Sequence, residues 1–249
     1  MNLNFWEQTS GTWINFFTVS LGTSLGLLLR GYIPPQIQTI ITQGIGLLTI
    51  WLGINLADSM AAVQAGEISG VILGLIALVL GGVMGELLEL ELRLAKIGDR
   101  LKRKFRGQGK FTEGFVASSL LFCVGPMTLI GSLTNGLQGD NTLLVLKATM
   151  DGIVSIALAN IYGVGVGFSA LVILIYQGGL SLIAGSIANG LPSVEENSYL
   201  LLTTGIGGLM IIAIGCNLLE LVKIRAASFL PALGLSPLIY WIAITIVNL

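Results

Sequence analysis

A helix needs about 20 consecutive, mainly apolar residues to cross the hydrocarbon core of a bilayer. This chain has such stretches one after another, at 12–30, 37–57, 67–89, 113–133, 141–163, 167–188, 199–219 and 226–247. With 54% hydrophobic and only 10% charged residues, a water-soluble domain would have no means of covering its surface. The lipid bilayer is therefore the main solvent. The expected fold class is all-α, a polytopic transmembrane helix bundle of eight spans forming one integral membrane domain over 1–249. The tight joint between the fifth and sixth stretches leaves seven spans as the alternative. Pro34-Pro35, the loop TNGLQGDN at 134–141 and Gly190-Leu191-Pro192 punctuate the spans as turn-forming sequences should. No Lys or Arg precedes the first apolar run, so that run reads as a permanent span rather than a cleaved leader.

The few charges are unevenly placed, and short loops rich in Lys and Arg stay cytoplasmic. Arg30 follows the first span. Arg93, Lys96, Arg100, Lys102, Arg103, Lys104, Arg106 and Lys110 follow the third, and Lys223 and Arg225 the seventh. The alternate loops hold Asp58 and Glu67, Asp140, then Glu195 and Glu196, with no basic residue. This pattern predicts eight spans with both termini outside.

Within the basic segment at about 90–110, Leu90, Leu94, Ile97, Leu101 and Phe105 recur at three- or four-residue spacing and form one apolar stripe on a helix. Its other faces are mostly cationic. Arg100, Lys102, Arg103, Lys104 and Arg106 are therefore expected among lipid headgroups, each worth about 1 kcal/mol against an anionic surface. A pure topology anchor is the simpler reading of the same residues.

Composition also removes whole classes of function. A formal net charge of -1 argues against a nucleic-acid partner. The chain has no histidine, which excludes imidazole relays, His-based zinc sites and Ser-His-Asp triads. Cys123 and Cys216 lie in apolar segments and read as packing residues. No phosphate-cradling loop, metalloprotease or hydrolase motif occurs, so neither a cofactor, a resident metal nor a catalytic residue is expected, and the chain is not expected to be an enzyme.

The intramembrane polar residues carry the functional expectation. Asp151 falls at the midpoint of the fifth span, where an ionised carboxylate costs several kcal/mol unless it is paired or meets water. Lys147, four residues earlier, shares its helix face and can pair with it. A structural ion pair and a residue on an ion or solute pathway both fit. Gly125-Pro126 in the fourth span removes a backbone hydrogen bond and predicts a kink or break. Freed backbone groups at that depth need protein or a polar cavity beside them. Ser118, Ser119, Thr128 and Ser132 flank it. Gln177, Asn160, Asn55 and Asn217 are further polar residues, with interhelical hydrogen bonding the simpler role for each. Glu86 and Glu220, near inner-face span ends, are expected to reach headgroups or the basic loops.

TQGIGLLTIWLGINL at 42–56 resembles TGIGGLMIIAIGCNL at 204–218, with Gly46, Leu47, Gly53, Asn55 and Leu56 falling on Gly208, Leu209, Gly215, Asn217 and Leu218. With a few residues inserted, LGLLLRGYIPP at 25–35 faintly echoes AGSIANGLP at 184–192. The two strings would run in opposite directions, so spans 1–3 and 6–8 form a candidate inverted repeat, a recurring plan of secondary transporters. The abundance of Gly and Leu keeps chance as the alternative.

At TEGFVASSLLFCVGPMTLIGSLTNGLQGD, followed by LKATMDGIVS, IYQGGLSLIAG and GIGGLMIIAIGCNLL, the chain resembles the YdfK/YqgA-like family of bacterial membrane proteins, a domain of unknown function. The likeness covers nearly everything after about residue 11. It implies a multi-pass protein of the bacterial cytoplasmic (inner) membrane and brings no binding or catalytic residues with it.

The leading functional expectation is a transporter or channel for a small ion or polar solute, with Asp151, Lys147, Gly125, Pro126, Gln177, Asn55 and Asn217 as pathway candidates. The alternative is a non-transport membrane protein, an assembly, lipid-associated or sensory partner, working through its basic surface helix. Glycine-rich faces fit intramolecular packing and a homo-oligomer equally well.

Overall fold

The computed structural model describes residues 3–30, 32, 34–124, 126–186 and 198–247. Gly125, the Gly190-Leu191-Pro192 turn, Glu195 and Glu196 lie outside the described residues. The chain is all-α, with ten helices among the described residues and one two-stranded hairpin. They are α1 (Phe5–Leu29), α2 (Pro35–Ala57), α3 (Gly70–Leu87), α4 (Leu90–Lys104), α5 (Phe111–Cys123), α6 (Pro126–Gln138), α7 (Thr142–Tyr162), α8 (Ser169–Ser186), α9 (Ser198–Leu218) and α10 (Leu230–Val247). Strands β1 (Gln64–Ala65) and β2 (Ile68–Ser69) pair antiparallel. Seven of these helices are long and apolar enough to cross a membrane, or eight if the bent pair α5–α6 is one broken span.

Element ends depart from expectation where polar chemistry overrides hydropathy. The first span begins at Phe5 rather than at 12, because Asn4 and Glu7 form a capping box. Asn4 Oδ1 accepts from the Glu7 amide at 2.9 Å and Glu7 Oε2 accepts from the Asn4 amide at 2.7 Å, which satisfies two otherwise orphaned donors. The third span begins at Gly70 rather than at 67, because Gly66 at φ +60° turns the β1–β2 hairpin and Ser69 caps α3. The ambiguity between seven and eight spans also arises elsewhere than expected. A short 3-10 turn at Val164–Val166 separates α7 from α8 as distinct helices. The uncertain span is the fourth, where α5 and α6 meet at 58°. Proline stands at the first position of α6, where its missing N–H costs nothing and its fixed φ suits a helix start.

The helices fall into two compact units. The first holds α1 and α5–α8 with residues 35–45 and 95–104. Here α1 runs along α7 with glycine at the contact, since a Cβ on Gly22 would come within 2.2 Å of the Gly152 carbonyl oxygen. Similarly, a Cβ on Gly136 of α6 would meet the Ser181 carbonyl oxygen of α8 at 2.0 Å. Lipid offers no hydrophobic drive between helices, so backbone approach of this kind is what holds them.

The second unit holds residues 46–57 of α2, the hairpin, α3, α9 and α10. Its core is Met60, Val63, Leu73, Ala77, Leu202, Ile206, Ala232 and Tyr240. Residues 46–57 cross α9 at glycine: a Cβ on Gly53 would lie 2.7 Å from the Gly208 carbonyl oxygen, and one on Gly208 2.6 Å from that of Gly53. Pro237 inside α10 leaves the Leu233 carbonyl without its helical donor, and Ser236 Oγ donates to it at 3.0 Å.

Candidate functional site

The Lys147–Asp151 pair forms on α7 as the four-residue spacing predicts, with Lys147 Nζ donating to Asp151 Oδ2. It does not stand alone. Asn15 of α1 donates from Nδ2 to the same Asp151 oxygen at 3.0 Å and to Gln177 Oε1 of α8 at 3.1 Å. Gln177 Nε2 donates in turn to Thr12 Oγ1 at 3.3 Å. Two helices of the first unit thus meet at one carboxylate, α1 through Asn15 and α7 through Lys147, and a third, α8, joins the network through Asn15. Asn15 and Gln177 are fully buried, while the Lys147 and Asp151 side chains keep 8% and 12% of their surface. Hydrogen bonds to a charged group are worth about 1.5–3 kcal/mol, so this network is what makes the buried pair tolerable.

Asn15 escaped the sequence reading. A usable signal existed: Thr12, Asn15, Val19, Gly22, Thr23 and Gly26 fall at helical spacing on one buried face of α1. Asn135 was missed as well. Its side chain accepts from the Gly11 amide at 3.1 Å and donates to the Glu7 carbonyl at 2.9 Å, tying α6 to α1.

Several buried polar atoms have no protein hydrogen-bond partner: Asn15 Oδ1, Thr23 Oγ1, Ser119 Oγ, Ser132 Oγ, Asn160 Oδ1 and Ser181 Oγ. All six belong to the first unit. An unmet buried polar group costs about 1–3 kcal/mol, and polar sites of this kind ordinarily hold water. Of the serines and threonine flanking the break, Ser118 bonds back to Gly114 at 2.6 Å, and Thr128 Oγ1 donates across the break to the Phe122 carbonyl at 3.2 Å. An open groove between α1 and α8, lined by Phe5, Thr9, Trp13, Ile175, Gly178 and Gly179, reaches Thr12, one hydrogen bond from Gln177.

The other candidates lie apart from the cluster. Asn55 is exposed and its amide donates to its own helix at Trp51. Asn217 clamps the following loop, donating to the Ile224 carbonyl and accepting from the Ile224 amide, each at 2.7 Å. Glu86 pairs with Arg225 and accepts from Ser228 at 3.3 Å, in line with its expected reach to a basic loop. On α4, Arg100, Arg103 and Lys104 are exposed, as is Arg106 just beyond it. Lys102 is half-buried and donates to the Gly109 carbonyl at 2.8 Å, closing the turn after the helix. Ile97 and Phe105 of the apolar stripe are open at 47% and 54%. At the first turn of α4, Glu91 accepts from the Ala227 amide at 2.9 Å. Burial pushes its carboxyl above the ordinary range, although that bond and Arg225 oppose the rise.

These features define a polytopic α-helical membrane protein with a polar cluster buried in one of its two units. Residues 10–241 match the family described as "Protein of unknown function (DUF554)", and the chain belongs to that family. The chain is 29% identical over 237 residues to "Uncharacterized membrane protein YdfK" of Bacillus subtilis, covering 93% of this chain and 96% of that protein. It is 28% identical over 232 residues to "Uncharacterized protein YqgA" of Escherichia coli, covering 91% and 94%. No solved structure matches it.

Proposed function

We propose that this chain moves a small ion or polar solute across the bacterial cytoplasmic membrane, acting as a transporter or channel and not as an enzyme. The observation that carries the reading is the buried network at the middle of a spanning helix, in which Lys147 and Asn15 both donate to Asp151 and Asn15 links it to Gln177. Ionisable groups at that depth are costly and are found chiefly on ion, proton and solute paths. Three further features support it. The span α5–α6 is broken at Pro126, orphaned polar atoms cluster in the same unit, and a groove leads to Thr12. In this reading both termini face outward, and α4 lies in the inner headgroup layer with Arg100, Arg103, Lys104 and Arg106 toward lipid phosphates. The driving force in this reading is an ion gradient or the solute's own.

The test is flux in proteoliposomes, read with radiolabelled sodium and rubidium and with a sealed pH dye. Asp151→Asn and Lys147→Ala, correctly inserted, are expected to abolish one of these fluxes, whereas Arg103→Gln with Lys104→Gln leaves it intact. If Asp151→Asn changes no flux while the α4 double variant loses its preference for anionic lipid, the basic helix is the working part and the reading fails.

A further inference from the structure

One numerical offset, visible first in the sequence, recurs throughout the packing. Adding 162 takes Gly46 to Gly208 and Gly53 to Gly215. If two segments related by such an offset pack about a local two-fold axis, a contact between residue i and the mate of j must be accompanied by a contact between j and the mate of i, as at any isologous interface. Where i rises as j falls along such pairs, the axis lies across the helices and they run antiparallel.

The crossing of residues 46–57 with α9 obeys this rule repeatedly. A Cβ on Gly53 would meet Gly208 O at 2.7 Å, and one on Gly215 would meet Gly46 O at 3.0 Å. A Cβ on Gly53 would lie 2.6 Å from Ile212 Cγ1, and one on Gly215 would lie 2.6 Å from Ile50 Cγ1. Gly46 faces Leu219, and Gly208 faces Ala57. Segments outside the similar strings follow the same offset. Gly66 would meet Val247 at 2.5 Å, and Gly85 would meet Ser228 at 1.9 Å, which are again exchanged mates. In α1 and α8 the offset takes Asn15 to Gln177, and these two residues hydrogen-bond to each other, as mates do when they sit beside the axis. Thr12 against Gln177 and Thr23 against Gly167 show that α1 and α8 also run antiparallel. The sequence match that supplied the offset contains neither α1 and α8 nor α3 and α10, so their agreement with it is independent.

We infer that α1, α2 and α3 recur 162 residues on as α8, α9 and α10, each pair of mates packed antiparallel within its own unit, and that Asn15 and Gln177 are the same residue of the two copies. They meet to form the carboxamide half of the polar site. A solute approaching from either face then meets an equivalent amide, the arrangement that alternating access requires. The part assigned to Asn15 and Gln177 rests on the transport reading; the repeat itself does not.

The experiment has two arms, both on the full chain in native membranes with Cys123 and Cys216 replaced by alanine. In the first, oxidative crosslinking is measured for Gly53→Cys with Ile212→Cys and for Ile50→Cys with Gly215→Cys. Both are expected to form to a similar extent; one forming without the other, or neither forming, overturns the repeat. In the second, Asn15→Leu and Gln177→Leu are each expected to lower the Asp151-dependent flux about tenfold or more, by loss of a hydrogen bond to the charged cluster. The exchange N15Q/Q177N should return most of it. An exchange no better than the single leucine variants overturns the equivalence of the two residues. A wild-type chain with no Asp151-dependent flux would sink the transport reading and leave the crosslinks to decide the repeat.

Discussion

The two units solve the same problem, holding helices together in lipid, with different chemistry. The second packs small and apolar side chains around Leu73, Leu202 and Ile206 and brings backbones together at Gly53 and Gly208. Its buried Thr203 and Ser236 are bonded to each other at 2.7 Å. The first unit buries Asn15, Asn135, Gln177, Lys147 and Asp151, and it holds every orphaned polar atom among the described residues. Glycine contacts like those of the second unit would suffice for association in a bilayer. The buried Lys147–Asp151 pair and its carboxamides go beyond what association requires, which supports the proposed path there.

The sharpest way to break this contrast is to unpair the first unit. Asp151→Ala alone leaves an ammonium buried and should cost about 3–5 kcal/mol, read as a fall in the midpoint of thermal unfolding in detergent. The double change Lys147→Met with Asp151→Leu should recover most of that stability while flux stays absent. Recovery of both would show the pair to be structural only. The second unit should instead be sensitive to volume. Gly208→Val is expected to cost about 1–3 kcal/mol through overpacking at Gly53 and Ala57, with no effect on the Lys147–Asp151 pair. Asn217→Ala, which leaves the Ile224 amide without its acceptor and the Ile224 carbonyl with the Ala226 amide alone, should cost about 1–2 kcal/mol in the same assay.

The smallest effect expected is one of pH. Asp140 accepts from the Thr142 hydroxyl at 2.6 Å and the Thr142 amide at 2.9 Å at the start of α7, and these bonds hold its carboxyl below the usual range. A depressed folded-state value means that the contribution is present above the ordinary aspartate value and is lost as pH falls through the lower one. Asp140→Asn should flatten that acid limb of the thermal stability profile slightly and leave the neutral range unchanged.

Much of the site's local geometry was legible before any coordinates. Lys147 and Asp151 are four apart on one helix, and that spacing alone sets their meeting. The break at Pro126 follows from a missing N–H, and the basic amphipathic character of α4 from periodicity. Asn15 was not legible as a partner of Asp151, because the two are 136 residues apart and their meeting depends on how α1 lies along α7. Asn55 and Asn217 look alike in the repeated string, yet one faces outward and the other clamps a loop, since their surroundings beyond the matched residues differ.

By itself, then, the sequence determined the solvent, a count of seven or eight crossings and features such as the Lys147–Asp151 pairing that depend on neighbours within about one turn, because hydropathy, helical period and backbone chemistry act locally. Only the tertiary structure decided which helices share a carboxylate, which polar atoms are left without partners and which glycines face each other, because these depend on close approach between segments far apart in the chain, where small residues on both sides must coincide.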